Sequence, residues 1–172
     1  MAALAMASCS KDESTGINNG NAIDFRAAMQ TRASETTTAN ITNFFVTALD
    51  KNNANYFSDA EFTKDGAFFT STPAYYWPSD GSNLSFFAYS PSAADLGATV
   101  TINSTTKTLA DFEPATTIAD QKDFITATAT GSKTDEAAGV ALTFGHRLSQ
   151  IEIKAKNTND GYVYKVQGVR IG

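Results

Sequence analysis

Apolar and polar residues alternate along most of the chain from residue 23 onward. In the first stretch, Ile23, Phe25, Ala27 and Met29 alternate with mostly polar residues, which is the pattern of a strand with one buried face. We therefore predict a first strand over Ile23–Arg32, with these four apolar side chains pointing inward. The same period predicts further strands at Asn43–Leu49, Asn55–Thr63, Ala67–Ser71, Tyr75–Trp77, Leu84–Tyr89, Asp123–Ala129, Val140–Phe144 and Tyr162–Ile171, and a small hairpin from Thr99–Ile102 and Thr106–Leu109.

Short polar segments separate these strands. Lys64-Asp65-Gly66 has the chemistry of a hairpin turn, and Ser92–Leu96 suits a single helical turn. Asp123–Ala129 is expected to lie at a sheet edge. No stretch keeps a helical apolar period for three turns. About nine or ten strands joined by short turns predict an all-β protein, built as an antiparallel sandwich or barrel.

Composition narrows the possible functions. The chain has 172 residues and 42% hydrophobic residues, enough for one domain with its own core. A net charge of -5 argues against a general affinity for nucleic-acid phosphates. One Cys and one His cannot form a disulfide framework or a structural zinc site, which need several partners or ligands. No metal or cofactor is therefore expected.

The amino-terminal segment predicts membrane anchoring by lipid. Residues 1–9 form a short apolar run that ends at the only cysteine, and Met6-Ala7-Ser8-Cys9 resembles the lipobox of bacterial lipoproteins. On this interpretation residues 1–9 are the truncated end of a signal peptide, Cys9 is acylated, and residues 10–22 form a flexible tether. Cys9–Glu13 also resembles the surface-export signal of Bacteroidetes lipoproteins, which places the protein on the outer face of the outer membrane. The alternative is that Cys9 is an ordinary thiol.

Few residues suggest catalysis. His146 lies between two strand-like runs, where it is either a general base or a partly buried histidine bonded to backbone, and the second interpretation is preferred. Asp59/Glu61 and Asp111/Glu113 have a spacing that places both carboxylates on one face of a strand, as in paired carboxylates or a loose Ca²⁺ site. A solvated strand face explains them more simply. The sequence predicts no catalytic residue and no enzyme.

Three consecutive aromatic residues are the best candidate for a ligand-binding surface. Tyr75, Tyr76 and Trp77 could stack on sugar rings if they were exposed. The preferred alternative is that Tyr75 and Trp77 pack into the core while Tyr76 points outward.

Several of these segments, taken in order, resemble the fimbrillin family of Bacteroidetes. They are Tyr75–Pro78 (YYWP), Leu84–Pro91 (LSFFAYSP), Asp123–Ile125 (DFI) and Leu142–Ile151 (LTFGHRLSQI). The resemblance covers residues 23–172 and implies two transthyretin-like β-sandwich domains with Greek-key-type connections. This chain would supply the amino-terminal domain, with the carboxy-terminal one missing. His146 would then belong to a structural motif.

The resemblance also implies a function. Family members are lipidated precursors that form stalk, anchor or tip subunits of surface fimbriae and support adhesion to host or bacterial surfaces. In stalk subunits a trypsin-like protease cuts after an arginine, the first strand leaves, and a strand of another subunit replaces it. Arg32 and Arg26 are the candidate cleavage sites here, and Arg32 is preferred because it lies at the predicted strand exit. The alternatives are an uncut anchor or lipoprotein, and a glycan-binding surface lipoprotein that uses the three aromatic residues.

Overall fold

A computed structural model describes residues 22–30 and 40–149, together with positions 156–158, 161, 163, 165 and 168. Cys9 and Arg32 lie outside the described residues, as does most of the predicted last strand. Within the described part of the chain, no helix has the length and apolar character needed to cross a membrane.

Strands are the main regular structure of the described residues, as predicted. The strands and the α-helix of the described residues are β1 (Phe25–Met29), β2 (Asn43–Leu49), β3 (Asn55–Asp65), β4 (Phe68–Thr70), β5 (Leu84–Ser90), α1 (Ala93–Leu96), β6 (Thr99–Ile102), β7 (Lys107–Ala110), β8 (Ile125–Gly131) and β9 (Val140–His146). Two short 3₁₀ helices lie at Ile118–Asp120 and Lys133–Asp135. One predicted strand is wrong: Tyr75–Trp77 forms only a single bridge, between Ala22 and Tyr76. The first strand is also shorter than predicted.

Seven strands close into a barrel in the order β1-β4-β3-β2-β5-β8-β9, and this barrel is called the strand ring, or ring, below. Strands β6 and β7 form a separate hairpin. Two expectations are corrected by this order. Strand β8 pairs with both β5 and β9, so it is not an edge strand. Strand β1 runs parallel to β9, so the sheet is not wholly antiparallel. A two-residue apolar period determines which face of a strand is buried, but it carries no information on strand direction. The transthyretin-like and Greek-key features stay predictions.

Two apolar clusters lie on opposite faces of β5. The larger cluster fills the ring and includes Phe86 and Ala88 of β5. The smaller one lies outside the ring, where Tyr89 packs with Leu96 and Phe124 under the segment that contains α1, β6 and β7. Burial on both faces explains why β5 reads as an almost continuous apolar run rather than as a clear alternation.

Candidate functional site

The candidate site is the position of β1 in the ring. Five residue pairs join β1 to β9, from Phe25–Val140 to Met29–Phe144. On its other side β1 pairs with the three-residue strand β4 at one position only, Phe25–Phe69. Strand β1 is thus held by one complete ladder and one isolated pair, and its contact with β4 is the least extensively paired contact in the ring.

The side chain of Phe25 occupies the centre of the larger core cluster. It is fully buried, and its ring packs edge-on against Phe44, Phe62 and Phe86 at centroid distances of 5.9, 4.7 and 5.0 Å. Edge-to-face aromatic pairs at these distances are favourable beyond the area that they bury. Phe25 is therefore the main apolar anchor of β1.

The other predicted inward residues of the first strand follow the same face. Ile23 is fully buried, whereas Ala27 and Met29 are half-buried against the same cluster. Backbone hydrogen bonds fix both ends: Ile23 N–H donates to the carbonyl of Tyr75, and Gln30 N–H donates to that of Phe144. Residues 23–30 are thus held in the ring by packing and hydrogen bonds along their whole length.

Asp24 departs from the sequence pattern. The alternation places it on the polar face, but its side chain is 7% exposed. Burial, and to a lesser degree the nearby Asp65 carboxylate, raise the pKa of Asp24 to about 6. Asp24 precedes β1, and its carbonyl accepts a hydrogen bond from Val140 N–H, so this stretch lies under the entry to β9. An ionised Asp24 carboxylate therefore destabilises the packing of the first strand in the ring.

Of the two candidate cleavage sites, Arg26 is described and Arg32 is not. Arg26 is exposed, but it lies in the middle of β1 and pairs with Ala141 of β9. A protease needs an accessible backbone, which a paired strand does not offer.

A sequence comparison identifies the family of the chain. Residues 31–171 match the family model described as fimbrillin-like. The chain belongs to the fimbrillin-like family. This match confirms the resemblance to the fimbrillin family that the sequence motifs indicated.

The similar solved structures are longer than this fimbrillin-like chain. A fimbrial protein from Bacteroides vulgatus ATCC 8482 matches with a TM-score of 0.50 and 20% identity, over 72% of this chain and 45% of that one. A putative cell adhesion protein from Bacteroides uniformis ATCC 8492 has a TM-score of 0.44 and 21% identity, over 73% and 47%. The fimbrial anchor protein Mfa2 from Porphyromonas gingivalis has a TM-score of 0.41 and 16% identity, over 73% and 50%. The chain spans about half the length of these proteins or slightly less. No curated protein matches it.

The aromatic segment of this fimbrillin-like domain is mostly turned inward. Trp77 is 8% exposed and packs edge-on against Phe86, and Tyr75 is half-buried and stacks on Phe57 at 4.3 Å. Tyr76 is 58% exposed. The inward–outward alternation expected for these residues agrees with their burial. Stacking on glycans stays a prediction, which rests on Tyr76 alone.

His146 connects two strands of the fimbrillin-like ring. Its Nδ1 atom lies 2.5 Å from Oδ2 of Asp123, which precedes β8, so its partner is a carboxylate rather than the expected backbone group. Its buried Nε2 atom has no hydrogen-bond partner among the described residues, and no described hydroxyl therefore lies where a triad nucleophile would be. The pair joins the end of β9 to the start of β8, which fits a structural role.

Neither of the two acidic pairs, Asp59/Glu61 and Asp111/Glu113, forms a paired-carboxylate site. At an irregularity in the β2–β3 pairing, Asp59 has a φ of 50° and accepts a hydrogen bond from the Tyr89 hydroxyl, whereas Glu61 accepts one from Asn43. Burial, followed by Asp59, raises the pKa of Tyr89, which stays a donor. Asp111 and Glu113 follow β7 outside any strand, so their spacing does not place the two carboxylates on one strand face. Among the described residues, no group of three His, Cys, Asp or Glu side chains is placed to hold a metal ion.

Sequence reasoning missed Asp24, because the alternation assigns it to the solvent face. One available signal was Gly139, a glycine immediately before a predicted strand. Gly139 has a φ of +68°, and a Cβ added there would lie 2.9 Å from the Phe68 ring and 3.4 Å from the Asp24 carbonyl oxygen. A residue with no side chain at this point allows the chain to cover Asp24 closely.

Proposed function

We propose that this chain forms the strand-accepting domain of a fimbrial subunit or fimbrial anchor, with a structural and not an enzymatic role. The first strand would be released by proteolysis, and a strand from another subunit would take its place. Membership of the fimbrillin-like family supports the fimbrial role, and the fimbrial protein from Bacteroides vulgatus has a similar fold over most of this chain.

The observation that carries the proposal is the asymmetric pairing of β1. Along most of its length β1 is paired only with β9, yet its side chains fill the middle of the core. Removing it would break one ladder and would leave most other ring pairs intact. The empty position would have an aromatic floor that includes Phe44, Phe62 and Phe86.

Such a groove has what strand addition requires. The exposed edge of β9 offers backbone donors and acceptors over five residues, Val140–Phe144. Main-chain hydrogen bonds to such an edge give affinity, and pockets for alternate side chains give selectivity. The incoming strand is therefore expected to carry apolar residues at alternate positions, with a large one at the position of Phe25.

Cleavage is proposed after Arg32 rather than after Arg26. A cut at Arg26 would fall within the β1–β9 ladder, whereas a cut at Arg32 would fall beyond the last residue of β1. Only the second would release the whole strand in one piece.

The remaining parts of the proposal concern location and partners. Acylation of Cys9 would anchor the precursor in the outer membrane, and residues 10–22 would hold the domain at the cell surface. The partners would be other fimbrial subunits, in a homopolymer or a heteropolymer, and adhesive ligands on host or bacterial surfaces. An uncut anchor would keep β1 and accept no strand.

Limited proteolysis of the full-length precursor tests the proposal. A trypsin-like protease should release the segment that ends at Arg32 and should yield oligomers on native gels. Arg32→Gln should prevent both effects, whereas the matched variant Arg26→Gln should leave them unchanged. If the strand is released and no oligomer forms, polymerisation is contradicted; if Arg26→Gln alone blocks release, the proposed cleavage site is wrong.

A further inference from the structure

The smaller apolar cluster, outside the ring, is incompletely covered by the chain. Its central members Tyr89, Leu96 and Phe124 are buried, whereas the side chains that β6 and β7 contribute to it are only partly buried. The β6–β7 hairpin pairs with no ring strand among the described residues. The hairpin therefore lies over the sheet by side-chain contacts and leaves space beneath it.

That space is a cavity of about 290 Å³, lined by residues of β5, β8 and the β6–β7 hairpin. Its walls are mainly apolar and include Phe87, Val100, Leu109 and Phe124. The volume is at the lower end of the range of small-molecule sites, roughly 300–1,000 Å³. It suits one small ligand and is too small for a folded partner.

Two cationic side chains line this cavity. The Nζ atom of Lys107 lies 4.3 Å from the centroid of the Phe87 ring, and Nε of Arg147 donates a hydrogen bond of 2.5 Å to the Thr126 hydroxyl. In the described part of the chain, the ion pairs within 4 Å are Lys51–Asp80 and His146–Asp123, so neither cation has a carboxylate partner there. Lys107 Nζ does donate a hydrogen bond to the Asn103 carbonyl, but cations without a carboxylate partner beside an apolar cavity favour an anion with an apolar body.

The strand register brings the two cations within reach of one ligand. Phe87 of β5 pairs with Thr128 of β8. Thr126 lies two residues before Thr128 in β8, so its side chain is on the same face of the sheet. Diagonal neighbours of this kind are about 7–8 Å apart. Because Lys107 lies over Phe87 and Arg147 is bonded to Thr126, both cations lie over neighbouring positions of the outer sheet face.

We propose that this cavity binds a small amphipathic carboxylate, such as an aliphatic acid of about ten carbons, whose volume is comparable to that of ten waters at ~30 Å³ each. The carboxylate pairs with Lys107 and Arg147, and the apolar chain lies against Phe87, Leu109 and Phe124. This site is on the opposite face of β5 from the seat of β1, so it is independent of strand exchange.

Calorimetric titration of the whole chain with decanoate, below its micelle concentration, tests the proposal. Decan-1-ol and decyltrimethylammonium have the same apolar chain with a neutral and a cationic head group. Saturable binding of one decanoate is expected, with affinity at least about tenfold higher than for the other two, because a hydrogen bond to a charged group contributes at least that factor. Equal affinity for the three compounds, or no saturable binding, would overturn the proposal.

Variants locate the binding. Arg147→Gln and Lys107→Gln should each weaken decanoate binding by about tenfold, since each removes one charge-assisted contact. Lys64→Gln, at an exposed lysine of β3, is the matched control and should change nothing. Val100→Trp should fill the cavity and abolish binding while the circular dichroism spectrum stays that of the parent. Undiminished binding to a folded Val100→Trp protein would place the ligand elsewhere and refute the site.

Discussion

At the scale of single residues, Phe25 is the anchor of the first strand. Its fully buried ring contacts three other aromatic rings. We predict that Phe25→Ala lowers the free energy of unfolding by about 3–5 kcal/mol, because it removes buried area and leaves a cavity. Urea denaturation followed by fluorescence measures the change. The adjacent variant Arg26→Ala, at an exposed position, should change stability by less than about 0.5 kcal/mol. Similar effects of the two variants would contradict the proposed anchor.

Asp24 gives a second prediction, on pH. Its pKa is raised from 3.8 to about 6 in the folded protein by burial and then by Asp65. Below pH 3.8 the carboxyl is protonated in both states, and between these values the unfolded chain loses the proton first. Stability contributed by this group therefore falls as the pH rises from about 4 to 6 and stays low above it. We expect Asp24→Asn to stabilise the domain at pH 8 by on the order of 1–3 kcal/mol.

Denaturation of parent and variant across pH 3–8 measures the difference. The stabilising effect of Asp24→Asn should appear above pH 4 and reach its full size above pH 6. Asp120→Asn, at an exposed carboxylate in the short 3₁₀ helix Ile118–Asp120, is the matched control and should give no such profile. A difference between parent and Asp24→Asn that is constant from pH 3 to 8 would show that burial of a charge at Asp24 is not the cause.

At the scale of elements, the entry to β9 depends on one glycine. Gly139 has a φ of +68°, and a Cβ there would lie 2.9 Å from the Phe68 ring, whereas Gly66 has a φ of +60° with open space around it. Gly66→Ala should cost about 1 kcal/mol for backbone strain alone. Gly139→Ala should cost a further 1–3 kcal/mol or so, because the ring must also move. Thermal denaturation of both compares them. Equal losses would show that the Phe68 contact is loose.

Most strands were predictable from the sequence, and their pairing was not. Asn43–Leu49 and Leu84–Tyr89 were placed within one residue, because β-branched and aromatic residues with clear polar ends define such strands well. Tyr75–Trp77 was misassigned, since three aromatic residues have strand propensity but here find only one bridging partner. The parallel pairing of β1 with β9 joins residues more than 100 positions apart, and no local pattern encodes that contact.

The candidate site was predictable in part for the same reason. The alternation of Ile23, Phe25, Ala27 and Met29 indicated the buried face of the first strand, and the burial of these residues agrees with it. Nothing in the alternation indicated that Asp24 is buried or that Lys107 and Arg147 line one cavity. These features depend on how distant segments are stacked, which becomes visible only in three dimensions.

At the scale of the whole molecule, strand exchange requires a domain that stays folded while its first strand is replaced. On release of β1 the ring would keep the β4-β3-β2-β5-β8-β9 order, and the groove that remained would have an apolar floor and an open β9 edge. Such a domain should accept any extended segment with a suitable alternation. Its own first strand is the simplest such segment to supply.

Exchange of a labelled strand tests this central claim most directly. The chain is cut after Arg32, and a fluorescent peptide with the sequence of Ile23–Arg32 is added in excess. We predict that the peptide enters the cut domain, co-elutes with it on size exclusion and does not enter the uncut chain, whereas a peptide with Phe25→Asp enters neither. A cut domain that remains folded but never takes up the peptide, or an uncut chain that takes it up equally well, would contradict the account.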